Sequence, residues 1–334
     1  MAKKPTKAMR GGGARAERTA ARQANGIETQ VKKLLARRAP SAQSLLVTLF
    51  GDTVAVHGGR VWLGSLIEVL AAFGIGERLT RTSVFRLVQD DWLAVERVGR
   101  RAYYAFTPHG RREYERTARR IYATDRPAWG GEWTLAIPHA VSGPARERLR
   151  VSLGWIGFGQ LATGVFAHPS TDRAALTDVI DELELTGRVL VLDARIDDPA
   201  PLAAVAHDRW GLPQLAARYR RFAAEFAAFE TLPLRQTDAM QWFVVRTMLI
   251  HEYRRILLTD PDLPDALLPT DWPGRDAALL TRALYSRLAG VTAAFVVEHF
   301  VDGGGPVAAA DTAFRRRFAQ REVAPRRNGV LFRS

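Results

Sequence analysis

Apolar residues are sparse before Val31 and become periodic from Ser41 onward. Residues 44–50 (SLLVTLF) predict an apolar turn or two of helix ended by Gly51-Asp52. Trp62, Leu63, Leu66, Ile67, Val69, Leu70 and Phe73 recur at helical spacing, and Gly74 follows where a C-terminal glycine would stop the helix. A third helix is predicted over 80–90: Val84, Leu87 and Val88 at i, i+3, i+4 turn inward, leaving Arg81, Thr82, Arg86 and Gln89 on the other side. Residues 93–98 and 102–107 alternate as two short strands around Gly99-Arg100-Arg101, a hairpin with two arginines at its tip. A basic helix over 108–122 closes this unit, which spans 40–124.

The pattern then changes to strand (133–137), helix (144–153), strand material (161–167), helix (173–185) and strand (188–194), with a further strand near 158–160 left open. That alternation predicts a small α+β sandwich of the ferredoxin-like type over 125–198, expected to carry dimerisation. Residues 199–301 read as helical: 215–229, with Phe222, Phe226 and Phe229 in phase, then 237–258, a Pro-rich break over 260–273, and 276–300. Residues 302–334, opened by Gly303-Gly304-Gly305-Pro306, read as a basic flexible tail. The fold class is thus multidomain and mostly α with α+β: a winged helix-turn-helix, a ferredoxin-like middle domain and a helical C-terminal domain.

Charge sharpens this picture. The chain of 334 residues carries a formal +13, and residues 1–39 hold eleven Lys/Arg against two Asp/Glu, residues 40–124 twelve against eight, and residues 125–334 twenty-five of each. All the excess sits in the first third. Residues 1–39 lack the apolar content for a core and read as a basic disordered arm, helical only near 31–35. A polyanion is the natural partner of such a chain end. With no cysteine, disulfides, zinc fingers and thiol nucleophiles are excluded. No run reaches the roughly 18–20 apolar residues of a membrane span, and no secretory signal precedes the arm, so a cytoplasmic protein without membrane contact is expected.

A helix the length of 80–90 fits the major groove, where the N-terminal residues of a recognition helix reach base edges. Arg81, Thr82, Ser83 and Arg86 are therefore candidates for base contact. Arg78, Arg100 and Arg101 suit phosphate or minor-groove contact, which positions a domain without specifying its site. The expected partner is double-stranded DNA.

The runs SLLVTLFGD, GGRVWLGSLIEVLAAFGIGERLTRTSVFRLVQDDWL and VGRRAYYAFTPHGR, together with HEYRRILLTDPDLPDALLPTDWPG at 251–274, resemble the PaaX family of bacterial repressors of phenylacetic acid catabolism. The resemblance spans roughly 41–300. It implies a homodimeric repressor released from its operator by an aryl-coenzyme A ester such as phenylacetyl-CoA, a helical effector-binding domain, and a middle domain similar to a small CRISPR-associated nuclease. No other cofactor is implied. An acyl-CoA asks for cations near its phosphates and apolar walls around its acyl group, and His251, Tyr253, Arg254, Arg255 and Trp272 offer those types together.

Enzyme readings fare worse. The nuclease-like resemblance raises a metal-dependent nucleic-acid-processing enzyme that uses the winged helix for docking, yet the strand 133–137 runs into Pro138-His139 with no carboxylate for a metal. Asp193 reads as a structural cap. His251-Glu252 begins like HExxH, but Arg255 stands where the second histidine belongs. Gly154, Gly157 and Gly159 follow a helix and mark a turn, not a dinucleotide loop. Neither a catalytic residue nor a metal ligand is expected.

Overall fold

A computed structural model describes residues 26–123, 129–169, 173–196, 198, 200–312, 314 and 317–318. Most of the expected N-terminal arm lies outside the described residues. Its end does not behave as an arm: residues 26–37 form helix α1, which buries Ile27, Val31 and Leu34 at i, i+4, i+7. Arg38 then reaches Glu225 at 3.1 Å and Glu252 at 3.2 Å, tying this segment to helices far along the chain.

The first unit runs α2 (Ala42–Asp52), β1 (Arg60–Trp62), α3 (Leu63–Ala71), α4 (Glu77–Gln89), β2 (Leu93–Val98), β3 (Arg101–Phe106) and α5 (Pro108–Ile121). Its antiparallel sheet has the order β1-β3-β2. Trp62 corrects the sequence reading: it ends a strand and does not begin a helix. Arg60, Val61 and Trp62 pair with Ala105, Tyr104 and Tyr103, and Val61 is fully buried, so cross-strand packing overrides the helical spacing that Trp62 happens to share. The hairpin connection is shorter than expected. Val98 pairs with Arg101, leaving Gly99-Arg100 as the turn, and Gly99 at φ +59° supplies the left-handed residue that such a turn needs. Thr107 caps α5, its Oγ1 accepting from Gly110 N at 2.9 Å, with Pro108 in the first turn.

The middle unit runs β4 (Glu132–Pro138), α6 (Gly143–Trp155), β5 (Gly159–Ala162), β6 (Val165–His168), α7 (Arg173–Glu182) and β7 (Val189–Arg195). Its four strands lie in the order β5-β6-β4-β7, every neighbouring pair antiparallel. Alternation along the strands divides this sheet between two cores. Ala136 and Phe166 join Leu149 and Leu153 of α6 and Leu176 and Ile180 of α7, while Trp133 and Ala167 join the main core of the protein. Trp133 meets Trp210 there, ring centroids 6.1 Å apart.

Helices α8 (Ala200–Arg209), α9 (Leu212–Ala227), α10 (Ala239–Leu257) and α11 (Pro273–His299) complete the body. Helix α8 has no counterpart in the sequence reading, because its alanine-rich stretch shows no distinct apolar phase. Helix α10 is buried on every side over Trp242–Arg254 and packs on α9, α11, α2 and α5. The expectation of a flexible tail from 302 fails for the part described: β8 (Val301–Asp302) and β9 (Gly305–Pro306) form a small hairpin, and Phe314 and Phe318 are buried against the first unit. Residues 319–334 lie outside the described residues. Mixed α+β, multidomain architecture is therefore observed.

Candidate nucleic-acid interface

Helices α3 and α4 are joined by residues 72–76, with Phe73 and Ile75 buried and Gly74 at φ +76° turning the chain. Helix α4 begins at Glu77, three residues before its apolar period becomes visible. Gly76 is the N-cap, and Glu77 in the first turn complements the positive end of the helix dipole. Thr80, Ser83, Val84 and Leu87 face inward, and the Thr80 hydroxyl donates to Gly76 O at 3.2 Å.

Ser83 is therefore a correction: it is 3% exposed, on the side of the helix that packs on the unit, and it cannot reach a base. The helical phase that sends Val84 and Leu87 inward takes Ser83 with them. Arg78 also changes place, since it now stands in the first turn of the helix and is exposed. The outer face presents Arg78, Arg81, Thr82, Phe85, Arg86 and Gln89. Arg81 Nε and Nη2 donate to Glu77 Oε1 at 2.9 and 2.7 Å, an exposed pair of the kind worth about 0–1 kcal/mol and readily exchanged for a stronger acceptor. Thr82 donates to Arg78 O at 2.9 Å.

Phe85, 63% exposed, is the residue the sequence reading passed over. Its signal was available, because an aromatic one position after Val84 falls outside the buried phase. Leu79, nearer the start of the helix, is also exposed, at 52%.

On the hairpin, the two tip arginines differ. Arg100 is exposed in the turn and has no ion pair among the described residues. Arg101, also exposed, holds its guanidinium 4.9 Å from the centroid of Trp62. Arg60 of β1 bonds Glu96 of β2 at 2.6 Å across the intervening β3 and lies over the Tyr103 ring, which stiffens the hairpin at its base.

Behind this surface is a buried junction. Asp52, the last residue of α2, receives Arg246 of α10 at 3.1 Å, Arg317 at 3.0 Å, the Tyr122 hydroxyl at 2.6 Å and the Tyr285 hydroxyl at 2.9 Å. Burial pushes the Asp52 carboxyl up, but the two guanidiniums and two phenols outweigh it and hold the group below the usual carboxylate range. Burial raises the Tyr122 and Tyr285 phenols and lifts that of Tyr114 to about 12.

The residues expected to hold an effector do not surround one cavity among the described residues. His251 is fully buried, and its Nδ1 lies 3.1 Å from the Thr48 hydroxyl, which is also 3.1 Å from Ser44 O. Burial, then Arg254 and Arg255, lower this imidazole to about 3. Tyr253 packs on Phe222 and Trp272 on Tyr219, at centroid distances of 5.7 and 5.9 Å. Arg255 is half-exposed and bonds Glu252 at 3.0 Å. Arg254 is buried near Tyr114, with Nε and Nη1 lacking hydrogen-bond partners among the described residues. A helix buried on all sides gives each of these residues a different protein neighbour, which is why proximity in sequence did not become a pocket.

Strand β4 ends at Pro138, followed by His139, and Asp193 is engaged by Arg173 in an exposed ion pair. Among the described residues no helix is long and apolar enough to cross a membrane.

Three family models match the chain: PaaX-like protein over residues 41–110, PaaX protein central Cas2-like domain over 126–206, and PaaX-like protein C-terminal domain over 210–298. The chain is similar to the transcriptional repressor PaaX of Escherichia coli (strain K12), 34% identical over 284 residues that cover 83% of this chain and 90% of the relative. It is also similar in structure to the uncharacterized protein Rv0674 from Mycobacterium tuberculosis, with a TM-score of 0.53 and 27% identity, covering 76% of this chain and 98% of that one. On these matches the chain belongs to the PaaX family, and it is a transcriptional regulator of that family, not an enzyme.

Proposed function

We propose that this protein is a homodimeric repressor that binds double-stranded operator DNA through α4 and the β2–β3 hairpin. On this reading residues 40–124 are a winged helix-turn-helix, with α3 and α4 as the two helices and the hairpin as the wing. Residues 125–198 are a ferredoxin-like domain that pairs two copies, and residues 199–301 a helical domain that senses the effector. The observation that carries the reading is the division of α4: Thr80, Ser83, Val84 and Leu87 anchor it, and Arg78, Arg81, Thr82, Phe85 and Arg86 stand outward beside an arginine-tipped hairpin.

In this arrangement Arg81 and Arg86 read base edges, for which a guanidinium bidentate to guanine O6 and N7 is the commonest solution. Arg78, Arg100 and Arg101 bind phosphate or the minor groove and set the register. Two copies related by a two-fold axis place their α4 helices about 34–36 Å apart on a roughly palindromic site, and occupancy of that site blocks transcription in the cytoplasm. The genes controlled are those of aromatic, phenylacetate-type catabolism, and phenylacetyl-CoA or a related acyl-CoA lowers operator affinity by favouring a conformation that binds DNA poorly.

The test is a gel shift with the promoter adjoining the protein's own gene, titrated with phenylacetyl-CoA and with free phenylacetate. A shift reversed by the thioester and not by the free acid supports the reading. A protein that leaves this duplex unbound at low salt contradicts it.

A further inference from the structure

An open cavity of about 940 Å³ lies between the end of α2, one face of α5 and the chain that follows β9. Its α5 wall consists of Arg111, Glu115, Ala118, Arg119 and Tyr122, which recur at i, i+4, i+7, i+8 and i+11 and so share one side of the helix. The floor is aromatic. Phe106 stacks on Tyr114 at 5.9 Å and 30°, and the Tyr114 and Tyr122 hydroxyls meet at 3.3 Å. Gly51 permits this floor, since a Cβ there would stand 2.1 Å from the Tyr114 ring.

Charge at the cavity is uneven in a useful way. Arg111 and Arg119 are exposed at the mouth and carry no ion pair among the described residues. Arg317 closes the inner end, already held by Asp52 and by the Gly51 and Asp52 carbonyls. Among the described residues that line the cavity, three arginines stand against two carboxylates, Glu115 and Asp311, and Asp311 accepts from Phe314 N at 3.0 Å while keeping its charge. Arg254, close enough to Tyr114 for their charges to interact, is buried with Nε and Nη1 lacking hydrogen-bond partners among the described residues. Aromatic walls with an excess of cations match one chemical class: an organic anion with an aromatic or otherwise apolar body.

We propose that this cavity binds such an anion and is the site through which operator affinity is regulated. This rests on the repressor reading given above and moves its effector from the buried face of α10 to the outer face of α5. The apolar body packs on Phe106, Tyr114 and Tyr122, and the anion sits between Arg111 and Arg119. Both contacts lead to the DNA surface. Phe106 ends the strand that carries Arg101 and pairs with Leu93 of the hairpin, while Tyr122 donates to Asp52 at the junction with α10. A ligand wedged here bears at once on the hairpin and on the junction that holds the first unit to α10, and it acts to the extent that it fits one arrangement of the two better than the other.

The experiment uses the full chain and 8-anilino-1-naphthalenesulfonate, an aromatic anion whose fluorescence rises on binding. Wild type is expected to bind one probe per chain. Arg111→Ala with Arg119→Ala is expected to weaken it at least tenfold, and Ala118→Trp, which puts an indole across the cavity, to abolish it. Should Ala118→Trp fail to melt cooperatively, the exposed arginine pair decides alone. No binding to wild type, or equal binding to wild type and the double variant, overturns the proposal. Phenylacetyl-CoA is then added to the wild-type complex. Displacement of the probe supports the cavity as the effector's site. Retention of a probe that the variants lose leaves the cavity standing and removes phenylacetyl-CoA as its ligand.

Discussion

Arg246 Nη2 lies 3.1 Å from Asp52 Oδ2, and neither side chain reaches solvent. The pair spans 194 residues and joins the central helix of the C-terminal bundle to the end of α2. Arg246 also bonds Thr292 of α11 at 2.6 Å and Thr53 at 3.0 Å, so one guanidinium holds three segments. A charge this deep is tolerated only because its counter-charge and hydrogen bonds are in place. The DNA-binding unit is therefore docked on the C-terminal helices through a contact that is costly to break singly.

Asp52→Asn leaves Arg246 and Arg317 buried without their counter-charge. Loss of one member of a buried pair costs about 3–5 kcal/mol, and this variant is expected to lose stability of that order. Arg246→Met leaves Asp52 with Arg317 and two tyrosines and is expected to cost less. Urea denaturation followed by tryptophan fluorescence measures both, and a wild-type midpoint for Asp52→Asn contradicts the account.

His251 gives a pH window. Its folded value of about 3 lies below the ordinary value near 6.5, so between the two the unfolded chain takes up a proton that the folded chain refuses. Stability falls as pH drops from 6.5 toward 3, by about 2–3 kcal/mol at pH 4.5. Asp52, whose folded value is also depressed, adds its loss only below about pH 4, once the unfolded carboxyl protonates. His251→Gln is expected to flatten the denaturation midpoint between pH 6.5 and 4.5. An unchanged slope in that variant assigns the acid sensitivity elsewhere.

The hairpin arginines are expected to separate. Arg100→Ala weakens binding nearly equally on specific and random duplex and reduces the slope of log affinity against log salt by about 1. Arg101→Ala additionally loses the contact with Trp62, worth about 0.5–1 kcal/mol at an exposed site, and lowers the melting temperature. Anisotropy titrations at several salt concentrations read the first effect, and an unchanged slope for Arg100→Ala removes it from the interface.

Phe85→Ala removes an exposed ring that contributes nothing to the core, so stability is expected to stay within about 0.5 kcal/mol. Operator affinity is expected to fall by about 1 kcal/mol with loss of preference at one T·A pair, because an apolar side chain in the major groove meets the thymine methyl. Full affinity together with a raised aggregation threshold would mark Phe85 as a self-association site instead.

Local pattern accounts for what was legible. The hairpin, the buried phase of α4 at Val84 and Leu87, and the alternation of the middle unit all follow from spacings of two or of three and four residues, which act within a few positions. Trp62 was misread because a three-residue strand is too short to show alternation and exists only through its partners at 103–105. Ser83 was misjudged because a small polar residue carries no burial signal of its own; its side is set by Val84 and Leu87. The Asp52 junction, with partners 70 to 265 residues away, is beyond any local pattern, as is the packing of Phe314 and Phe318 by a stretch that composition marks as tail. Arg254 was singled out for its chemistry, and its side chain is buried, which no local pattern marks.

Base reading by α4 is tested most directly by measuring Arg81→Ala and Ser83→Ala against every single-base variant of the operator by fluorescence anisotropy. The expected result is loss of about 1–3 kcal/mol of discrimination at one base position for Arg81→Ala and an unaltered preference profile for Ser83→Ala. A profile for Arg81→Ala that matches wild type at every position would contradict the assignment of the outer face of α4 to the major groove.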